Sequence, residues 1–241
     1  MLGDQGRFDE ADECFEEALG AVRGADHQVE GSVLSLRSAV WLWQGHWEEA
    51  RQAATEAQRI AERVKSLYLY TMGLSLGAYA GWVLRQDEAS LQTIMDATSW
   101  LASRDRGLFI SLNYGWLADA MATSGRWQEA RRYAAGAVRR GRKRDRIGEA
   151  MAYRAMARAS AAGQNRKPAP HYLDLAMETA RVRQSLHEVA VTQLYDAEIR
   201  LAIADRVAAA ALLDQAGAAF QALAMHWHLD QTDRLRRRLR L

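Results

Sequence analysis

Proline and cysteine are nearly missing from this chain of 241 residues: Pro168 and Pro170 are the only prolines, and Cys14 is the only cysteine. With so little proline, helices can run uninterrupted everywhere except near residue 168. A single cysteine excludes an internal disulfide and a cysteine-based zinc site, and it suits a reducing compartment. Cys14 sits among Glu13, Glu16 and Glu17, whereas a reactive thiol wants positive surroundings; it is read as a packing residue. Alternating runs of Val, Ile and Thr are also missing, so strands are not expected. No GxxxxGK[ST] phosphate loop occurs. No catalytic constellation can be assembled, so the chain is read as non-enzymatic, without cofactor or metal. His226 and His228 stand two apart, which puts them on different helix faces, and nothing completes a ligand set; they are read as a solvated or capping pair. The opening Met1-Leu2-Gly3-Asp4-Gln5 has no basic segment or apolar run of a secretory leader, and a cytoplasmic location is expected.

Long hydrophobic runs are scarce too. Residues 67–84 form an 18-residue stretch without charge, with Gly73, Gly77 and Gly81 at GxxxG spacing. The length is at the lower limit for a membrane span. Tyr68, Tyr70, Thr71, Ser75 and Tyr79 make the stretch only moderately apolar, so a packed helix is expected and no membrane partner.

What the chain does contain is a repeat. Gly125-Arg126-Trp127-Gln128-Glu129-Ala130 has near-copies in Gly6-Arg7-Phe8-Asp9-Glu10-Ala11 and Gly45-His46-Trp47-Glu48-Glu49-Ala50. Each reads as a turn closed by glycine, an aromatic, and an acidic first helical turn that complements the helix dipole. The alanines of this unit fall at Ala11, Ala50, Ala89, Ala130, Ala169 and Ala209, steps of 39, 39, 41, 39 and 40. A second small residue follows seven positions later at Ala18, Ala57, Ala137, Ala176 and Ala216; the third unit has Ala97 one place off. Another precedes by twelve at Ser38, Gly77, Ala118, Ala157 and Ala197. Seven residues is close to two helical turns, so marker and +7 share a face. Small side chains there let two helix axes approach closely. The pattern predicts one helix pair per repeat.

Helices are predicted over 8–23, 29–44, 47–64, 66–84, 87–102, 106–124, 127–141, 145–162, 168–183, 185–203, 206–223 and 226–240. They group into a leading half-repeat (1–24), helix-pair repeats (25–65, 66–104, 105–143, 144–184, 185–224) and a capping helix (225–241), all in one domain. Ala11, Ala50, Gly77, Ala89, Ala118, Ala130, Ala137, Ala169 and Ala209 are the expected packing residues.

The unit Gly-x-aromatic-x-Glu-Ala with small residues at −12, 0 and +7 resembles the tetratricopeptide (TPR) repeat over nearly the whole chain, with a period near 40 where the common form has about 34. The resemblance implies an all-α fold, an α-solenoid in which antiparallel helix pairs wind into a right-handed superhelix. Ala208 to Leu239, with Leu213, Phe220, Trp227 and Leu235, is similar to the tail of bacterial signalling proteins that join a class III adenylate/guanylate cyclase or a DNA-binding domain to an AAA-type ATPase and a long TPR region. That implies a C-terminal interaction or sensor region, or a relative of one. Residues 2–6 read as the end of a first helix whose body is missing.

In such arrays the first helices line a concave face that binds extended peptides. Asn113, Trp116, Tyr153 and Arg154 are the candidates there. A second candidate surface is basic: Arg139, Arg140, Arg142, Lys143, Arg144 and Arg146, with a further cluster from Arg234 to Arg240. The N-terminal end is acidic, with Asp4, Asp9, Glu10, Asp12, Glu13, Glu16 and Glu17, so the two ends could associate head to tail or dock neighbouring domains. A net charge of +2 is too small to imply a polyanion, and a nucleic-acid partner ranks last. The leading expectation is a non-catalytic scaffold that binds a protein or peptide. The alternative is a small-molecule-sensing domain, recognisable by an enclosed apolar pocket with convergent polar groups.

Overall fold

The computed structural model describes residues 2–24, 27–104, 110–141, 146–163 and 166–240. Among them a 3-10 turn, Gly3–Gln5, is followed by α1 (Phe8–Val22), α2 (Gln28–Gln44), α3 (Trp47–Arg63), α4 (Leu67–Arg85), α5 (Glu88–Ser103), α6 (Ile110–Thr123), α7 (Trp127–Gly141), α8 (Glu149–Ala161), α9 (Ala169–Val182), α10 (Leu186–Ala202), α11 (Arg206–Ala222) and α12 (His226–Arg240). No strand occurs among these residues. Each helix packs on the next, and α2, α6 and α10 also pack on α4 or α8. Connections are short, so neighbouring helices run antiparallel.

The turns explain why the helices stop where they do. Gly6, Gly45 and Gly125 adopt positive φ of 82°, 90° and 72°, the left-handed conformation that ends a helix at little cost in glycine. After Gly45, the amides of Gly45 and His46 both donate to the carbonyl of Trp41 at 2.9 Å. Where that glycine is lost, Gln86 and Ala204 carry the same left-handed turn, and Lys65, Gln184 and Ala224 do so between repeats. Asp87 and Asp205 then cap the following helix, accepting from the amides of Ser90 and Ala208.

The core follows the columns of small residues. Second helices bury positions 0, +4, +7 and +11: Ala50, Ala54, Ala57 and Ala61 in α3, Ala130, Ala134, Ala137 and Gly141 in α7, and Ala209, Leu213, Ala216 and Phe220 in α11. Ala11, Ala118 and Ala169 are buried as well. Ser38 adds a hydrogen bond from its hydroxyl to the carbonyl of Ala50 at 2.8 Å.

One unit departs from the predicted register. Ala89 is exposed, and α5 buries Ser90, Ile94, Ala97 and Leu101 at the 0, +4, +7 and +11 spacing, with Leu91 and Thr98 beside them. The turn Gln86-Asp87 leaves four positions from the left-handed residue to the packing position, where Gly125 to Ala130 spans five. The second-helix column therefore shifts by one, from Ala89 to Ser90. Gly77 faces α3: a Cβ there would stand 3.4 Å from the Cβ of Ala54. Gly73 is tighter still, with Ala54 O at 2.9 Å. The GxxxG spacing thus serves packing of α4 on its neighbours, and no helix among the described residues is long and apolar enough to cross a membrane.

The two ends of the array meet. Asp4 pairs with Arg183, whose Nε stands 3.3 Å from Asp4 Oδ2, and the first 3-10 turn packs on α10. A Cβ on Gly6 would lie 3.2 Å from Leu223. Phe8, Ala11 and Val40 share one apolar cluster with Leu194, Leu213, Phe220 and Met225. The acidic N-terminal end is thereby engaged inside the chain: Asp4 with Arg183, and Asp12 and Glu16 with Arg37.

Candidate functional site

Where the ends of the array meet lies a partly open chamber of about 400 Å³. Its walls come from the first helices α2, α4, α6, α8 and α10, and α12 lies across it as a roof. The lining side chains follow helical spacing: Tyr79, Trp82, Val83 and Gln86 from α4 and its C-cap; Trp116, Asp119 and Thr123 from α6; Met151, Arg154 and Arg158 from α8; Val191, Leu194, Tyr195 and Glu198 from α10. The roof contributes Trp227, His228, Gln231, Arg234, Leu235 and Arg238. Leu42, Trp43, Trp47, His187 and Glu188 complete it.

Aromatic rings form one side. Trp116 stacks on Tyr79 with centroids 5.0 Å apart at 16°, and Tyr79 stacks on Trp82 at 6.2 Å and 15°. Trp47 meets Tyr79 edge-on at 6.3 Å. Trp47 also meets Trp227 of the roof.

A charged ladder crosses the other side. Asp119 accepts from the hydroxyls of Tyr195 at 2.8 Å and Tyr79 at 3.3 Å. Burial, then the Asp119 carboxylate, pushes both phenols up, so both keep their protons. Arg158 stands 3.7 Å from Asp119 on one side and 3.7 Å from Glu198 on the other, and donates to Thr123 at 2.9 Å. Deeper in, Arg154 pairs with Glu188, both almost fully buried, and donates to Thr192 at 3.3 Å. Burial alone would raise the Glu188 carboxyl; the Arg154 guanidinium, with His187 and Arg183, outweighs it and holds the group below its ordinary value. His187 lies between Phe8 and Trp43, with centroids 5.7 Å and 5.4 Å away. Burial pushes it down to about 4 and His228 down to about 3, so both are neutral near pH 7.

The lining is rich in polar atoms that have no hydrogen-bond partner within the protein. Trp43 Nε1, Trp47 Nε1, Trp116 Nε1, Arg154 Nε, His187 Nε2 and His228 Nδ1 are buried and unpartnered, and all six belong to chamber residues. Buried N–H groups are nearly always paired, and each left unpaired costs about 1–3 kcal/mol. All six atoms are shut off from open space, so they belong to the packing behind the chamber's surface.

Of the residues singled out from sequence, Trp116 and Arg154 line the chamber. Asn113 does not: it is buried in a separate small crevice beside Ser75. Tyr153 is half-buried and lies outside the chamber lining. In the basic run, Arg139 is exposed, Arg140 is half-buried, and Arg146 pairs with Glu149 at 2.9 Å. Arg142, Lys143 and Arg144 lie outside the described residues. Two other expectations change. Cys14 is exposed on α1 and packs nothing away from solvent. His228 is an interior residue ringed by Trp47, Phe220 and Trp227, because α12 turns inward across the chamber. Only His226 of that pair is exposed.

Asp119, Arg158 and Glu198 were not singled out, yet a signal for them exists. Each directly follows the small residue of its first helix (Ala118, Ala157, Ala197). Alternating charge in one column of consecutive repeats places opposite charges beside each other. No protein-family model matches the chain, and comparison with the curated proteins returns no relative.

Proposed function

We propose that this protein is a TPR-like α-solenoid, wound as a right-handed superhelix, that senses a small molecule held inside the superhelix. The single observation that carries this reading is a chamber of about 400 Å³ lined on one side by the rings of Tyr79, Trp82 and Trp116 and on the other by the Asp119, Arg158 and Glu198 ladder. That size and mixture of apolar wall with convergent polar groups suits a small ligand. A peptide laid along an open concave face is supported less well: of its four candidates, Trp116 and Arg154 are buried in the chamber wall and Asn113 in its own crevice. The interaction-scaffold role belongs to the output side. Ligand binding under α12 would bias how the array meets a partner protein or neighbouring domain, in keeping with the resemblance of residues 208–239 to bacterial signalling tails. No catalysis is proposed.

The test is a thermal-shift screen of small organic molecules on the wild type and on Val191→Phe, which puts bulk into the chamber from α10. Compounds that raise the melting temperature of the wild type should lose that effect in the variant. Equal stabilisation of both proteins, or binding confined to extended peptides, would remove the chamber from the function.

A further inference from the structure

Of the histidines, only His187 and His228 are buried, and both sit in the seam where the two ends of the array meet. His187, at the start of α10, lies between Phe8 of α1 and Trp43 of α2. His228, in the first turn of α12, lies against Trp47 of α3, Phe220 of α11 and the turn at Gly45. Each ring thus packs against residues from the opposite end of the chain.

The seam has no place for a charge on either ring. In the charged form both ring nitrogens carry a proton. His187 Nδ1 stands 3.3 Å from Ser185 Oγ, but its Nε2 is buried without a partner, as is His228 Nδ1. Each charged ring would therefore bury one N–H that has no acceptor, which is costly. The neighbouring charges do not offset this. His187 faces Glu188 of its own helix, Asp4 of the 3-10 turn, Arg183 at the end of α9 and Arg154 of α8. His228 faces His187, Glu188 and Arg154, with the Gln44 backbone favouring its charged form. The two carboxylates are already paired, Glu188 with Arg154 and Asp4 with Arg183. Two added protons would thus bring two uncompensated charges that repel each other.

The seam can part without dismantling the array. Helices α1 to α11 pack consecutively along the chain, and in a repeat array each unit depends on its neighbours. The seam instead joins parts distant in sequence. α12 leaves α11 through Ala224, which already holds a left-handed φ of 52°. At 15 residues, α12 has a length at which an undocked helix is marginal in water.

We infer that the seam is an acid-released latch: protonation of His187 and His228 frees the roof helix α12 and the N-terminal turn while the consecutive helices stay folded, laying the chamber wall open. Once released, the rings return to about 6.5. Going from pH 7 to pH 5 then favours the open state by roughly twentyfold for each histidine.

Amide hydrogen exchange at peptide resolution tests this, with protection corrected for the pH dependence of the exchange chemistry. At pH 7, residues 3–8 and 226–239 should already be less protected than α6 and α7. By pH 5 their protection should fall by a further factor of about ten or more, with α6 and α7 still exchanging about a hundredfold more slowly. Equal protection of seam and interior at both pH values, or a seam unchanged between them, overturns the latch. Changing His187→Asn and His228→Asn together should hold the seam's response within about threefold; a response equal to the wild type's overturns the role of the histidines. In the wild type, NMR of the ring Cε1–H protons follows protonation directly, whether or not the double variant folds. Protonation of both buried rings with the seam still protected also overturns the latch. No ligand enters these measurements, so their failure leaves the sensing reading standing.

Discussion

Trp47 and Trp227 meet edge to face, ring centroids 5.1 Å apart at 83°, although one begins the third helix and the other belongs to the twelfth. This contact ties α12 to the start of α3 beside the chamber. α12 does not simply cover the exposed face of α11. It reaches across the interior to the start of the array, and Gly45 gives it room to do so, because Trp227 and His228 lie against that glycine. The chamber exists because this contact and the Asp4–Arg183 pair bring the two ends of the chain together.

Gly45 and Gly125 separate the backbone role of a turn glycine from its contact role. Both have positive φ, 90° and 72°, a conformation that costs an alanine roughly 1–2 kcal/mol. At Gly125 a Cβ would meet nothing within 4 Å; at Gly45 it would meet Trp227 Cβ and His228 Nδ1, each at 3.1 Å. Gly125→Ala should therefore lose only the backbone part. Gly45→Ala should lose about 1–2 kcal/mol more through crowding, read as the difference between two denaturant melts. Equal losses would show that α12 yields freely at this point.

Arg154 and Glu188 form a buried pair between α8 and α10. Arg154→Met leaves a carboxylate buried without its cation and should cost about 3–5 kcal/mol. Combining it with Glu188→Leu removes the orphaned charge, so the double variant should be markedly more stable than Arg154→Met alone. A pH series adds a sign. With Arg154 gone, burial raises the Glu188 carboxyl instead of Arg154 holding it down, so lowering pH toward 5 should protonate it and narrow the gap to wild type. A gap that stays constant with pH would mean that Glu188 is not the source of the loss.

His187 and His228 make the fold sensitive to mild acid. Their folded values, about 4 and about 3, lie below the ~6.5 of an unfolded histidine. Below pH ~6.5 the unfolded chain binds protons that the folded chain refuses, so stability is complete above that pH and falls as pH drops. The slope is at most ~1.4 kcal/mol per pH unit for each histidine. His187 faces Glu188, Asp4, Arg183 and Arg154, and His228 faces His187, Arg154 and Glu188; burial outweighs the carboxylates in both cases. Glu188, whose folded value is lowered, adds its own loss only below the ordinary carboxylate range. Melting temperatures between pH 6.5 and 5 should therefore fall for the wild type and stay nearly level for the His187→Asn, His228→Asn double variant. A level wild-type profile in that window would show that water reaches both rings.

The helices were legible because their signals are local. A left-handed glycine or an aspartate cap marks the breaks at Gly6, Gly45, Asp87, Gly125 and Asp205, and small residues mark the packed faces at Ala118, Ala130 and Ala137. The chamber was not legible, because it depends on rotation accumulated across the array and on contacts such as Phe8 with His187, which join distant parts of the chain. Trp116 and Arg154 were reachable as first-helix residues, but sequence could not say whether they faced a groove or an enclosure. His228 was misread for the same reason: its surroundings are set by where α12 docks. Asp119, Arg158 and Glu198 were within reach, since each directly follows the small residue of its helix at steps of 39 and 40.

The register of α5 can be tested alone. Sequence spacing put Ala89 in the packed column, whereas the structure exposes it and buries Ser90 beside Leu91 and Ile94. The hydroxyl of Ser90 also bonds Asp87 Oδ2 at 3.0 Å, and its amide bonds Oδ1 at 2.7 Å, so the position serves the helix cap as well as the packing. Ala89→Leu should change stability by no more than about 0.5 kcal/mol, as for an exposed site. Ser90→Leu should cost about 1–3 kcal/mol from overpacking, plus the hydroxyl's share in the cap. Ala130→Leu supplies the reference, because Ala130 is wholly buried at the equivalent position of α7 and should lose a comparable 1–3 kcal/mol. If α5 follows the register of 39-residue spacing instead, Ala89→Leu will match Ala130→Leu and Ser90→Leu will be the mild change.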